Sequence, residues 1–265
     1  MSRFSRSSEF TLGVLATLIA IVSVVAWELA VRVFSIPNYL IPAPSRVIEY
    51  LAQSWWFLLP HFGVTLYETI AGFILAVVVG VPLGTLIVWS RVIDKTVTPF
   101  LIVSQTFPKI ALAPLLLLWL GFGVSLKIVV AFLVSFFPIV ISCVAGLRSV
   151  ETEMLELARS SQATGLMTFY KVRLPWSLPQ LFSGMKVAIA FSLVGAVVGE
   201  WVGADQGLGY VLIWANGNMN SEIMFAVFVL LSIIGGGLYY LICAIETLCI
   251  PWHVSIRERN PTVTL

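Results

Sequence analysis

Six long apolar runs decide most of what this chain can fold into. They cover residues 11–34, 64–89, 100–122, 125–147, 181–202 and 223–250. A helix needs about 20 mostly apolar residues to cross the hydrocarbon core of a bilayer, and each run supplies them. Lipid offers no hydrogen-bond partners, so each run has to satisfy its backbone internally, as an α-helix does. The expected class is an all-α polytopic membrane protein with six transmembrane helices. Composition agrees: 59% of the 265 residues are hydrophobic and 11% are charged, against about 25% charged in soluble domains.

Six spans put both termini on one side, and the basic residues choose which. With the N-terminus inside, the inner segments hold Arg3, Arg6, Arg91, Lys95, Arg148, Arg159, Lys171, Arg173, Lys186, Arg257 and Arg259. The outer segments hold Arg32, Arg46 and Lys127, and Lys109 falls within the third run. Basic residues accumulate in cytoplasmic loops, so residues 1–10, the loop 148–180 and the tail 251–265 are expected on the cytoplasmic side of the membrane. The opening MSRFSRSSEF is basic, but the run behind it is long and no A-x-A-like site follows. The first run is therefore read as an uncleaved helix.

Punctuation refines the spans. Pro108 and Pro114 break the third run, and Pro138 lies inside the fourth. Between the first two runs, Pro37, Pro42 and Pro44 prevent a long helix. A short one is expected from Ser45, with Ser45 as its N-cap and Val47, Ile48, Leu51, Trp55 and Phe57 as its apolar face. Trp55 and Trp56 suit the headgroup level, so this helix is expected to lie on the outer surface.

Ionisable residues within spans cost about 2.5–3.5 kcal/mol each on insertion scales and need a reason. Glu28 can pair with Arg32 one helical turn on. Glu68 lies within reach of the outer surface, Glu200 at the outer end of the fifth run beside Trp201, and Glu246 near the inner end of the sixth. Lys109, following Pro108, either faces a polar path or snorkels to the cytoplasmic interface. Gln105, Lys109, Glu200 and Trp201 are the candidate path residues. Cys143, Cys243 and Cys249 sit in apolar runs, and the two histidines, His61 and His253, flank them. Neither set has the spacing of a metal or catalytic centre. A net charge of +2 without basic runs gives no grip on nucleic acid.

One polar stretch, ELARSSQATGLMTFYKVRLPWSLP from Glu156 to Pro179, stands apart from this apolar background. A helix is expected from about residue 152 to 161, acidic early and with Arg159 late, as the helix dipole favours. A second is expected over 168–173, stopping before Leu174-Pro175 because the residue before proline avoids helical dihedrals. The stretch resembles the EAA loop of the permease subunits of ATP-binding-cassette importers. Further segments carry the resemblance along the chain: IPAPSRV after the first run, GFILAVVVGVPLG over 72–84, FPKIALAPLLLLWLGFG over 107–123, GEWVGADQGLGY over 199–210 and IETLCIPWH over 245–253. These are similar to the branch serving nitrate, sulfonate, taurine, riboflavin and thiamine-pyrimidine importers.

The resemblance implies the type I importer permease fold, with residues 148–180 as a coupling loop docked on a cytoplasmic ATPase subunit. Glu156, Ala158, Arg159, Gln162, Gly165, Leu174 and Pro175 are the positions it assigns to coupling. One position departs from the pattern. The family usually has glycine four residues after the triplet's second alanine, where this chain has Gln162, and a glycine follows three residues later at Gly165. The turn either sits at Gln162 with ordinary dihedrals or has moved to Gly165. The middle alanine of the triplet is also replaced, by Leu157.

No G-x-x-x-x-G-K-[ST] segment occurs, and the glycines of 203–209 are read as a tight backbone re-entry on the outer side. The expected protein has no cofactor of its own, and ATP is bound by a separate subunit. Its implied partners are ATPase subunits, a periplasmic or lipid-anchored solute-binding protein and a second permease copy, as a homodimer. Its implied cargo is riboflavin or a thiamine-precursor pyrimidine, with sulfonate, taurine or nitrate as the alternative. A stand-alone secondary transporter would show inverted repeats, and none is visible. A membrane-embedded enzyme would cluster His, Asp or Cys in the spans, and the ionisable residues do not cluster in sequence.

Overall fold

The computed structural model describes the backbone of residues 2–252 and the side chains of residues 14, 15 and 17–252. His253, Arg257, Arg259 and the side chains of Arg3 and Arg6 lie outside the described residues. The described chain is a succession of helices: α1 (Ser2–Val33), α2 (Pro44–Gln53), α3 (Trp55–Trp89), α4 (Arg91–Thr106), α5 (Ala113–Leu120), α6 (Val124–Arg148), α7 (Thr152–Ser160), α8 (Gly165–Thr168), α9 (Leu174–Gly203), α10 (Leu208–Gly217) and α11 (Ser221–Cys249). A 3-10 turn, Lys109–Leu112, precedes α5, and a π-helical stretch, Phe169–Arg173, joins α8 to α9. The chain forms two compact units, one of residues up to Pro60 with Val211–Leu230, the other of His61–Tyr210 with the chain from Leu231 on.

Among the described residues, four helical stretches are long and apolar enough to cross a membrane: α3, α6, Gly165–Gly203 and α11. The third apolar run is not straight. Arg91–Thr106 and Lys109–Leu120 meet at a bend of 87°. Pro108 makes this break, since it follows Phe107 in extended backbone. Pro114 was expected to break the run and does not. It occupies the first turn of α5, where the missing N–H has no helical partner to lose. Pro138 likewise stays inside α6.

In the first unit, Ser45 is not the N-cap of α2. Ala43 holds that position and Pro44 opens the helix. Ser45 instead turns toward α1, where its N–H donates to Glu28 Oε2 (3.0 Å) and its hydroxyl to Oε1 (2.8 Å). Arg32 Nε donates to the same carboxylate at 2.7 Å. A carboxylate from another helix thus does the capping, which favours negative charge at that end. Val47 is buried and Ile48 exposed. Trp55 and Phe57 belong to α3, because the chain breaks at Ser54.

In the second unit, α6 is packed between α3 and α9 through small residues. Gly72, Ala76, Gly80 and Gly84 recur every four residues on α3, and a Cβ added at Gly72 or Gly84 would collide with Ala131 or Cys143 of α6. Gly184, Ala188, Ser192 and Gly195 give α9 a similar stripe, with Gly195 set against the backbone of Ala131. Small residues let helix backbones approach closely, the means of packing left to helices in lipid. Ser192 Oγ donates across this bundle to the Thr69 carbonyl at 2.7 Å. Ala113, Leu126, Val130 and Val198 close an apolar core between α5, α6 and α9.

The expected stop before Leu174-Pro175 is absent. The helix runs from Gly165 through the π stretch into α9. In the π stretch the Leu174 N–H bonds to the Phe169 carbonyl, five residues back. That shift of register passes the chain through Pro175, whose ring would otherwise clash with the carbonyl four residues before it.

Candidate functional site

The polar segment folds into an elbow. Helix α7 ends at Ser160, and Gln162 takes φ +54. Gln162 N–H bonds to the Arg159 carbonyl (2.9 Å) and Ala163 N–H to the Ala158 carbonyl (3.0 Å). This is a Schellman closure, with Gln162 in the left-handed position that glycine usually holds. The turn therefore stays at Gln162 and uses left-handed dihedrals, not the ordinary ones expected. Gly165 has no positive φ and opens α8 after Thr164, whose Oγ1 accepts from Met167 N–H. Ser35 and Met219 close the helices before them in the same way. A non-glycine residue can thus serve where two hydrogen bonds offset the cost of left-handed backbone.

Of the residues assigned to coupling, Ala158 is buried and Glu156 and Arg159 are exposed. Leu174 and Pro175 are half-buried at the start of α9. The elbow also presents apolar side chains that the charge pattern did not single out: Leu157 (60% exposed), Leu166 (58%), Met167 (44%) and Tyr170 (60%). They lie outside the apolar runs. Large apolar groups on a polar segment mark a contact surface. The sequence signal was available: LM and FY inside an otherwise polar loop. Behind the elbow, Phe169 packs on Trp89 of α3 with ring centroids 5.6 Å apart. A cavity of about 430 Å3 there is lined by Trp89, Arg159, Gly165 and Arg173 among others. Arg148 Nη2 pairs with Asp94 Oδ1 at 2.7 Å, tying the end of α6 to the start of α4.

At the opposite end of α9 the structure assembles a buried polar cluster that sequence reasoning read as separate residues. By sequence position Lys127 belongs with the outer segments and Glu68 lies near the outer surface. Both are buried within the bundle, Lys127 3% and Glu68 0% exposed, with Nζ 3.1 Å from Oε1. Their helix faces, not their distance from the run ends, decide this: each points at the α3–α6 contact. Glu200, 1% exposed, lies close enough to interact with Glu68 and Lys127.

Glu200 also receives the Thr65 hydroxyl at 2.6 Å and the Gly209 N–H. Thr65 Oγ1 in turn accepts the Leu208 N–H (2.8 Å), and His61 Nδ1 accepts the Gly207 N–H (3.1 Å). Three side chains thereby satisfy backbone donors at the start of α10, and the carboxylate sits where the helix dipole favours it. Gly207 has φ +108, and an added Cβ would run into the Glu200 carboxylate. The glycine-rich stretch 203–209 is thus a fitted cap around Glu200. As for the path residues, Glu200 is closed in, Trp201 is 49% exposed, and Gln105 is exposed. Lys109 Nζ lies over the Phe137 ring, 4.2 Å from its centroid, at the bend between α4 and the 3-10 turn. It does not join the Glu200 cluster. Among the described residues no group of His, Cys, Asp and Glu could hold a metal ion.

A family model described as the binding-protein-dependent transport system inner membrane component matches residues 72–245, which include the elbow and, of the buried cluster, Lys127 and Glu200. The chain belongs to this family. It is a multi-pass inner-membrane permease subunit of an ATP-binding-cassette importer, a transport protein and not an enzyme. Relatives include a probable ABC transporter permease protein of Haemophilus influenzae, 39% identical over 223 residues, 84% of this chain and 91% of the relative. The formylaminopyrimidine transport permease protein ThiX of Halalkalibacterium halodurans is 34% identical over 240 residues, 89% of this chain and 95% of the relative. The riboflavin transport system permease protein RibX of Chloroflexus aurantiacus is 34% identical over 246 residues, 92% of this chain and 91% of the relative. Among solved structures, the inward-facing MetNI methionine ABC transporter is similar, with TM-score 0.64 and 24% identity over 75% of this chain and 97% of that chain. That likeness concerns the fold, the type I importer permease fold. Permeases of this family work with an ATPase and a binding protein.

Proposed function

We propose that the permease crosses the membrane six times, with both termini in the cytoplasm, and pairs with a second copy of itself to enclose a path for riboflavin or a thiamine-precursor pyrimidine. The spans are α1, α3, the bent α4–α5 pair, α6, α9 and α11. The elbow 152–173 faces the cytoplasm and docks in a groove of the ATPase. ATP-driven closure of the ATPases then moves α9, because the second arm of the elbow, from Gly165, is one continuous helical stretch with the span. The observation that carries this reading is the exposed apolar knob of Leu157, Leu166, Met167 and Tyr170 on a polar segment. Relatives named for pyrimidine and riboflavin transport, matching along nearly the whole chain, support the planar cargo.

Two measurements test it. Reporters active only in the periplasm are fused after Ser54 and after Gln162, with activity expected from the first alone. Activity after Gln162 overturns the topology. Uptake into proteoliposomes holding permease, ATPase and the cognate binding protein is then measured for riboflavin, an aminopyrimidine and taurine. Uptake of taurine alone replaces the planar cargo with the sulfonate reading.

A further inference from the structure

The inner end of α9 carries a polar stripe that neither the elbow nor the Glu200 cluster uses. Trp176, Gln180, Ser183 and Lys186 follow one another at spacings of four, three and three residues, and so share one side of the helix. They open on a cavity of about 790 Å3, whose far wall includes Glu246 and Trp252. Ser183 and Lys186 lie inside the apolar run 181–202, yet Gln180 and Ser183 are exposed. Hydrocarbon does not cover an amide, a hydroxyl and an ammonium on one stripe. Polar side chains at such depth face protein or a water-filled cavity.

The lining has a definite chemical character. Lys186 Nζ is 2.6 Å from Glu246 Oε2, which pairs two of the three charged residues in the wall. Lys171 is the third, at the elbow side of the wall. Two indoles supply flat apolar surfaces suited to stacking, and the Gln180 amide and Ser183 hydroxyl supply donors and acceptors for a ring edge. Pro179, also in the wall, removes the helical donor of the carbonyl four residues back. The volume lies in the range of about 300–1,000 Å3 usual for small-molecule sites.

We propose that this cavity is an inner solute site, the last station before release to the cytoplasm, and that it takes a planar nitrogen heteroaromatic ring. Trp176 and Trp252 stack on the ring, and Gln180 and Ser183 read its edge. The assignment rests on the import reading above and places the solute contacts on α9 rather than at Glu200.

Cysteine accessibility tests it on the whole assembly. Ser183→Cys is made in a Cys249→Ser background, since Cys143 and Cys243 are buried. The complex with its ATPase is reconstituted in nanodiscs without nucleotide and treated with a membrane-impermeant thiol reagent. Labelling is expected, and saturating riboflavin or aminopyrimidine is expected to slow it at least fivefold. Adding Trp176→Leu should abolish that protection while leaving labelling intact. Failure of the Ser183→Cys variant to label means that lipid or the second copy covers this face, and labelling indifferent to both probes means that no planar ring binds there. Either result overturns the proposal. Proteoliposome uptake on the same preparation separates the two readings: riboflavin uptake without protection removes the cavity site alone, whereas taurine uptake without riboflavin or pyrimidine uptake removes the planar cargo and this site with it.

Discussion

Replacing Lys127 with methionine keeps the length and apolar stem of the side chain and removes its ammonium. In the structure that ammonium is 3.1 Å from Glu68 Oε1, with the two side chains 3% and 0% exposed. Glu200 is the next carboxylate, so Lys127→Met leaves two acidic groups facing each other in a buried cluster. Removing one partner of a buried pair costs about 3–5 kcal/mol, because the other is left uncompensated. At 1.4 kcal/mol per tenfold, the folding equilibrium falls by about two to three and a half orders of magnitude. With about 2–4 °C per kcal/mol for a chain of this size, the melting temperature drops by about 6–20 °C. In a Cys249→Ser background a thiol-reactive dye reads the transition in detergent, because Cys143 and Cys243 are buried until the bundle opens. Adding Glu68→Gln to Lys127→Met removes the stranded charge and should recover most of the loss. A single variant that melts within about 2 °C of the parent, or a double variant no more stable than the single, refutes the account of the cluster as a charge pair that holds the bundle together.

Gln162→Gly should stabilise the elbow by about 1 kcal/mol, the cost of a left-handed residue with a Cβ, and leave transport intact. Gly165→Val should be tolerated, because Gly165 has no positive φ and an added Cβ meets nothing within 4 Å. Loss of ATPase assembly in Gly165→Val, measured by co-purification, would contradict this. Glu156→Lys, or a bulky residue in place of the buried Ala158, should leave the permease in the membrane but separate ATP hydrolysis from uptake. Normal coupling in both would remove the elbow from the coupling role. Lys109→Met should keep insertion and assembly, losing a cation–π contact worth about 0.5–2 kcal/mol, yet lower uptake, with Lys109→Arg retaining part. Normal uptake in Lys109→Met would mean that the lysine only rests on Phe137.

Class, family and the approximate position of the apolar helices are legible in the amino-acid order. These depend on signals that are local and strong in lipid. An apolar run has to form helix wherever its neighbours lie, and a run of motifs in fixed order needs no coordinates. The elbow was legible for the same reason, as a polar stretch in an apolar chain. Local rules failed where a tertiary contact outweighed them. Ser45 reads as an N-cap until Glu28 of α1 takes its hydroxyl. Leu174-Pro175 reads as a helix stop until a π-helical register carries the chain through. Gln162 reads as an ill-fitting turn residue until two hydrogen bonds hold it left-handed. The tertiary structure alone decided which ionisable residues meet. Glu68, Lys127 and Glu200 lie on three helices, and whether each points at lipid, water or the others depends on helix rotation, which Gly72, Ala131 and Gly195 fix by close approach. A residue's depth in a span can be read from its position in the run; its direction cannot, because a turn of about 100° per residue lets neighbouring positions face opposite surroundings.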